Sequence, residues 1–294
     1  MDVLELDGVC KRFGGRDAVH DLSLRVPAGS VYGFLGQNGA GKTTTLRMVL
    51  GILWPDAGTI RLFGSLSPDA ARPQLAFLPE EKGLYKRMRV IEFLVFLGRL
   101  RGLDAREADR RGRRWLERFE LAEVADARCE TLSKGMGQKL QIAGALLHDP
   151  RLVILDEPFS GLDPVNVELV RRIILELRAG GTTVILSTHV MEQAEQSCDH
   201  VLLLHRGTKR LDGPLGKVRA GAERTLVVDY AGDAAVLRTL SGVRRLNDAG
   251  AHAELTLDPD AILASLVGRL SIRRFELVEP SLHEVFVRTV GEAA

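Results

Sequence analysis

Residues 30–44 read Ser30-Val31-Tyr32-Gly33-Phe34-Leu35-Gly36-Gln37-Asn38-Gly39-Ala40-Gly41-Lys42-Thr43-Thr44. The first six form a short, nearly continuous apolar run, the mark of a strand buried on both faces. The next eight, Gly36–Thr43, satisfy the pattern Gly-x4-Gly-Lys-Thr. Helical spacing follows, with Leu46, Met48, Val49 and Leu50 ahead of Gly51. A glycine-rich loop between a buried strand and a helix is a phosphate cradle. Glycine lets the backbone turn tightly enough for successive N–H groups to converge on phosphate oxygens. The helix N-terminus adds a favourable dipole. Gly36, Asn38, Gly39, Ala40, Gly41 and Thr44 are the candidate loop contacts. Lys42 is expected to reach the β and γ phosphates and the Thr43 hydroxyl to bind Mg²⁺.

A second element lies 110 residues beyond Lys42, at Leu152-Val153-Ile154-Leu155-Asp156-Glu157. Four aliphatic residues followed by two acids put the carboxylates at the C-terminal edge of a buried strand. Ligands bind at that edge in open α/β sheets. Asp156 is the candidate Mg²⁺ ligand and Glu157 the group that polarises an attacking water. A plain strand followed by an acidic helix start, with Pro158 as the first helical residue, is the alternative; the phosphate loop weighs against it.

Outward from these two elements the chain alternates strand and helix. Residues 3–9 and 22–26 alternate apolar and polar positions and read as strands. Residues 90–121 read as helical throughout, with arginine on the polar positions. Apolar runs at 152–155 and 184–186 are separated by helical stretches at 139–148 and 165–178. This order predicts a mainly parallel sheet covered by helices. Five glycines or prolines in 207–221 loosen the pattern, and a domain boundary is expected near 217–223. Beyond it, 225–230, 243–247, 252–257 and 271–278 read as strands and 233–240, 261–270 and 281–290 as helices. That βαββαβ order predicts a small ferredoxin-like α+β domain.

Forty basic against thirty-nine acidic residues leave a net charge of +1, with 45% hydrophobic and 27% charged residues. A generally basic nucleic-acid binder and a highly charged disordered chain are excluded. Cys10, Cys129 and Cys198 lie far apart, so neither a disulfide framework nor a paired-cysteine metal site organises the fold. There is no run of about 18 apolar residues, and no membrane span is expected from this chain.

Leu132-Ser133-Lys134-Gly135-Met136-Gly137-Gln138 opens a helix twenty residues before Leu152. Ser160-Gly161-Leu162-Asp163 follows Glu157, and Ser187-Thr188-His189 ends the next strand. With the two elements above, this set resembles the ATP-binding cassette ATPases of ABC transporters over residues 2–216. Walker A, signature, Walker B, D-loop and switch histidine stand in that order. The tail, Glu279-Pro280-Ser281-Leu282-His283-Glu284-Val285-Phe286, is similar to the accessory C-terminal domain of an exporter subgroup that includes sodium-efflux and drug-export ATPases.

The resemblance implies a P-loop cassette over 1–217, made of a mainly parallel core sheet, an antiparallel β subdomain and a helical subdomain near 84–148. An accessory domain would occupy 223–294. It implies an Mg²⁺-dependent ATPase that works as a head-to-tail pair, a homodimer or a paired ATPase subunit. Two ATP molecules would be sandwiched at the interface. One subunit would offer Lys42, Thr43, Asp156, Glu157 and His189. The other would offer Ser133 and the Gly135 N–H to the γ-phosphate. Phe13 matches the residue that stacks on adenine, and Asp163 the D-loop acid. Separate membrane permease subunits would dock on the helical subdomain, with Leu84, Tyr85 and Phe93 as candidate groove residues. The chain would sit on the cytoplasmic face of the membrane, without nucleic acid.

Three departures stand out. Glu80 takes the place of a glutamine near Mg²⁺, Lys134 that of the first signature glycine, and Met136 that of the signature glutamine. Lys134 reads either as a solvated charge or as an added γ-phosphate contact. Two rival readings remain: a soluble cassette ATPase acting on ribosomes or DNA, and a regulatory subunit that binds ATP without hydrolysing it. A single cassette and only 114 positions between Lys42 and Asp156 disfavour the first; Glu157 and His189 disfavour the second.

Overall fold

The computed structural model describes residues 2–80, 83–220, 225–231, 235–238, 245–248, 252–256 and 271–291. The chain divides into two compact units, Met1–Gly213 and Pro214–Ala294.

In the first unit, β1 (Asp2–Phe13), β2 (Arg16–Pro27) and β4 (Ala57–Leu62) form an antiparallel sheet in the order β2-β1-β4. The larger sheet contains β3 (Val31–Leu35), β5 (Leu75–Leu78), β6 (Leu152–Asp156), β7 (Thr183–Thr188), β8 (His200–His205) and β9 (Thr208–Pro214). Its order is β5-β6-β7-β3-β8-β9, and the pairs from β5 across to β8 are parallel. Strands β3, β6 and β7 are buried along their whole length. Unbroken aliphatic sequence is what a strand covered on both faces requires.

Register fixes where the site falls. Leu35 pairs with Thr188, and Asp156 with Ser187. The C-terminal ends of β3, β6 and β7 therefore share one edge. The loop 36–41 leaves that edge and enters α1 (Lys42–Val49). Leu46, Met48 and Val49 of α1 are buried in the core with Leu152, Ile154 and Ile185.

A helical segment lies between β5 and β6. The stretch read as helical throughout, 90–121, is broken into two helices, α3 (Val90–Leu100) and α4 (Ala105–Arg118); α2 is the short turn Pro68–Ala71. Gly102 adopts φ +88°, and the Asp104 carboxylate caps α4 by accepting the N–H groups of Arg106 and Glu107 at 2.9 and 3.0 Å. Such a cap satisfies orphan donors of a new helix, so the chain reverses there instead of running on. Most arginines of this segment are exposed, and Arg111 is partly buried. Arg110, Arg111 and Arg113 pair with Glu107, Glu107 and Asp109. α5 (Lys134–Leu146) packs against α3 and α4; α6 (Pro164–Ala179) and α7 (Met191–Ser197) flank β7.

The stretch whose pattern loosens, 208–220, is regular structure: β9, then α8 (Leu215–Ala220). In the second unit β10 (Thr225–Ala231), β11 (Arg245–Asp248), β12 (His252–Thr256) and β13 (Ser271–Val278) form an antiparallel sheet in the order β11-β12-β10-β13. This is the strand order of a ferredoxin-like βαββαβ unit. The first expected helix is α9 (Ala235–Arg238); the second, 261–270, lies outside the described residues. The tail forms α10 (Leu282–Gly291). Ser281 and Glu284 make a capping box: Glu284 Oε2 accepts the Ser281 N–H at 2.7 Å, and Ser281 Oγ accepts the Glu284 N–H at 3.2 Å. Leu282, Val285 and Phe286 are buried. Arg219 on α8 donates to the Pro280 carbonyl at 3.1 Å.

Candidate nucleotide site

Three glycines shape the loop after β3. Gly36, Gly39 and Gly41 have φ of +149°, +80° and +103°. A Cβ on Gly36 would lie 2.3 Å from the Leu204 carbonyl oxygen, and one on Gly41 2.5 Å from that of Ala18. No other residue fits at either position. The loop is also braced from outside: Gly207 N–H donates to Ala40 O at 3.0 Å. The first turn of α1 carries no acid of its own, so its positive end is open to an anion in the loop.

Lys42 is 7% exposed, and its Nζ donates to Gly36 O at 2.6 Å and Gln37 O at 3.2 Å. Burial lowers its pKa; Glu157, Asp156 and Glu80 pull it back up. Three carboxylates thus face one ammonium. Thr43 Oγ1 donates to Asp156 Oδ2 at 3.0 Å. Loop residues 38–44 share a cleft of ≈ 360 Å³ with Glu80, Asp156 and Glu157. Larger grooves of ≈ 600 and ≈ 440 Å³ lie on the helical segment; each is lined by one arginine, Arg99 or Arg101, and neither includes the glycine loop or the Asp156-Glu157 pair.

Glu157 follows the last residue of β6. It is 8% exposed and adopts φ +50°, a left-handed conformation unusual for a residue with a side chain. Its N–H donates to Ser187 O at 2.9 Å. Its carboxylate is held from β7: Oε1 accepts the His189 N–H at 3.0 Å and lies 2.6 Å from His189 Nδ1. Oε2 accepts from Thr188 Oγ1 at 3.3 Å. His189 itself is half-exposed.

The sequence-derived residues fall into two groups. Lys42, Thr43, Glu80, Asp156 and Glu157 meet in the cleft, with His189 joined through Glu157. Ser133, Gly135, Asp163 and Phe13 do not line it. Ser133 caps α5 by accepting the Met136 N–H at 3.2 Å, and Asp163 caps α6 by accepting the Asn166 N–H at 3.0 Å. Gly135 sits beside Leu162, and the Lys134 stem lies on Gly161. The signature and D-loop segments therefore form a second surface of the same chain. Phe13 is 50% exposed, with Lys11 Nζ 5.6 Å from its ring centroid. Sequence reasoning passed over Thr188. Its signal was a hydroxyl residue at the end of a buried strand, directly before His189.

Hard oxygen donors suit Mg²⁺. The Thr43 hydroxyl, the Asp156 carboxylate and the Glu80 carboxylate in one cleft are such a set.

A glycine loop between a buried strand and a helix, facing an Asp-Glu pair on the neighbouring strand edge, defines a P-loop nucleotide-binding cassette. A family model described as ABC transporter matches residues 19–160. A second, described as ATP-binding protein DrrA1-3-like, C-terminal domain, matches residues 213–290. The ABC transporter ATP-binding protein YhaQ of Bacillus subtilis (strain 168) is 40% identical over 294 residues, spanning 98% of this chain and 99% of that protein. The Nod factor export ATP-binding protein I of Burkholderia lata is 37% identical over 99% of this chain and 98% of its own length. Among solved structures, the ATP-binding subunit of an ABC transporter superposes with a TM-score of 0.69 at 33% identity, covering 74% of this chain and 92% of that one. CbiO1 from Clostridium perfringens, part of the cbiONQ transporter complex, gives 0.68 at 27%, covering 75% and 92%. The chain belongs to the ATP-binding subunits of ABC transporters.

Proposed function

We propose that this subunit hydrolyses ATP with Mg²⁺ and powers export through separate permease subunits on the cytoplasmic face of a membrane. The observation that carries hydrolysis is the carboxylate of Glu157, buried beside the phosphate loop and held at both oxygens. Lys42 and the loop N–H groups bind the β and γ phosphates. Glu157 accepts a proton from the attacking water. His189, on Glu157 Oε1, orients that carboxylate and reaches toward the γ-phosphate with its half-exposed ring. Mg²⁺, held by Thr43, Asp156 and Glu80, supplies charge neutralisation on the β and γ phosphates when bound.

The pair of segments outside the cleft supports a head-to-tail dimer. Ser133, Gly135 and Asp163 sit on helix N-termini that this chain's own cleft does not use. In such a dimer they face the second copy's nucleotide. ATP then joins the copies, and loss of the γ-phosphate separates them.

Among the described residues no helix is long and apolar enough to cross a membrane, which supports separate permeases. The ≈ 440 Å³ groove beside Phe77, Leu78, Tyr85, Leu97 and Leu100 is the surface we assign to them. Of the three groove residues named from sequence, Tyr85, 56% exposed, and Phe93, 3% exposed, both line this groove, while Leu84 is half-buried and does not. The export direction rests on the relative from Burkholderia lata, similar along nearly the whole chain. The unit from Pro214 is the accessory domain of this reading.

Phosphate release from Mg·ATP by the full chain tests hydrolysis. Glu157→Gln keeps the shape and removes the base. A loss of about 100-fold or more is expected, the scale of general-base catalysis. A variant as fast as wild type would sink the assignment.

A further inference from the structure

Thr188 is fully buried at the C-terminal end of β7, one residue before His189. Its hydroxyl has three neighbours. It accepts the Val190 N–H at 3.1 Å. It lies 3.3 Å from Glu157 Oε2 and 3.2 Å from Gln193 Oε1, the latter on α7. A hydroxyl carries one proton, so it serves one of those two acceptors at a time.

Glu157 needs such a partner. Its φ of +50° is strained for a non-glycine residue and persists only where the surroundings enforce it. The backbone half of that enforcement is the Glu157 N–H bond to Ser187 O. The side-chain half is two anchors, one per carboxylate oxygen. Oε1 is tied to His189 and Oε2 to Thr188. With only the first, the carboxylate is free to rotate about Oε1. With both, its plane is fixed relative to the cleft.

We propose that Thr188 is a positioning residue for Glu157, its hydroxyl fixing the orientation of the carboxylate and sharing its proton with Gln193. This rests on Glu157 being the base of ATP hydrolysis. Thr188 does not line the cleft, so it has no part in holding nucleotide. Removing its hydroxyl lowers turnover and leaves ATP binding alone. A general packing defect has no reason to separate the two.

The test is steady-state ATP hydrolysis by the full chain, under conditions in which wild type turns over, for Thr188→Val, Thr188→Ser and Glu157→Gln. Binding of a fluorescent ATP analogue and the melting temperature are read alongside. For Thr188→Val, kcat falls at least tenfold while KM and analogue affinity stay within twofold. Thr188→Ser, which restores the hydroxyl without the methyl group, recovers most of kcat. Should valine unfold the chain, Thr188→Ala removes the same hydroxyl without adding bulk. A Thr188→Val or Thr188→Ala enzyme with wild-type kcat overturns the proposal. So does a KM that rises in step with the loss, or a serine variant as slow as valine. An active Glu157→Gln overturns the role of Glu157 itself. An inactive Glu157→Gln beside a fully active Thr188→Val overturns only the role of Thr188.

Discussion

Thr43 Oγ1 donates to Asp156 Oδ2 across 3.0 Å, joining the start of α1 to the end of β6, 113 residues later. One oxygen from each side of the cleft thus meets where the β and γ phosphates of a bound nucleotide would arrive. Asp156 is 2% exposed and shares the cleft with Glu157 and Glu80. Three carboxylates there face one ammonium, Lys42, which leaves negative charge for a bound cation to offset.

Asp156→Asn tests this. Asparagine still accepts the Thr43 proton, so the fold is kept. It offers Mg²⁺ a neutral oxygen in place of a charged one. Wild type should bind ATP more tightly with Mg²⁺ than with a chelator, and in the variant most of that gain should vanish. Isothermal calorimetry in both buffers measures it. An undiminished Mg²⁺ gain would remove Asp156 from the metal site.

Glu80 adds a third carboxylate around Lys42. Before a triphosphate enters, these charges compensate a buried ammonium; once it has entered, they repel it. Glu80→Gln removes one negative charge and keeps an oxygen donor. ATP affinity without Mg²⁺ should rise, so the gain that Mg²⁺ adds should shrink, and the effect should weaken at high salt as screening takes over. Superimposable Mg²⁺ titrations of ATP affinity for variant and wild type would show that Glu80 carries no such burden.

The cleft was legible in sequence because its chemistry demands particular residues close together along the chain. Gly36, Gly41 and Lys42 have no substitutes at their positions, and Asp156-Glu157 ends an unbroken aliphatic strand. Other parts were hidden for stated reasons. Arginines on α3 and α4 keep helical spacing through the Gly102–Asp104 break, so periodicity gave no sign of it. Gly207 looked like one of several linker glycines. It is instead a tight turn with φ +78°, where a Cβ would lie 2.9 Å from Ala18 O, and its N–H braces Ala40 of the phosphate loop. Thr188 escaped notice because its partner, Glu157, is 31 residues away in sequence.

Lys134 occupies the first helical position of α5, in place of the signature glycine. Its side chain runs along Gly161, where a Cβ would be 2.5 Å from Lys134 Cε. The stem thus packs on its own chain's D-loop turn, and the residue stays exposed. Lys134→Ala should leave ATP affinity of the paired form within twofold of wild type. A tenfold loss would put the ammonium on the nucleotide. Gly161→Ala should be the more damaging change, because φ is +75° and the lysine stem must move. Its strain is about 1–3 kcal/mol, and the melting temperature should show it.

His148, just beyond α5, links the helical segment to the core sheet. Its Nε2 lies 3.0 Å from the Leu75 carbonyl oxygen on β5, while its Nδ1 is buried without a partner. Burial lowers its pKa; the Leu75 carbonyl and Asp149 oppose that shift, and Arg101 and Arg111 reinforce it. The folded chain therefore resists protonation that the unfolded chain accepts near the ordinary value of 6.5. Stability from this residue is fully present above that value and is lost as pH falls through it. Urea midpoints at pH 7.5 and 5.5 measure the loss. His148→Gln keeps a donor for Leu75 O and has no charge to gain. It should lose less stability than wild type over the same interval. Equal losses in the two proteins would mean that other groups set the acid sensitivity of this fold.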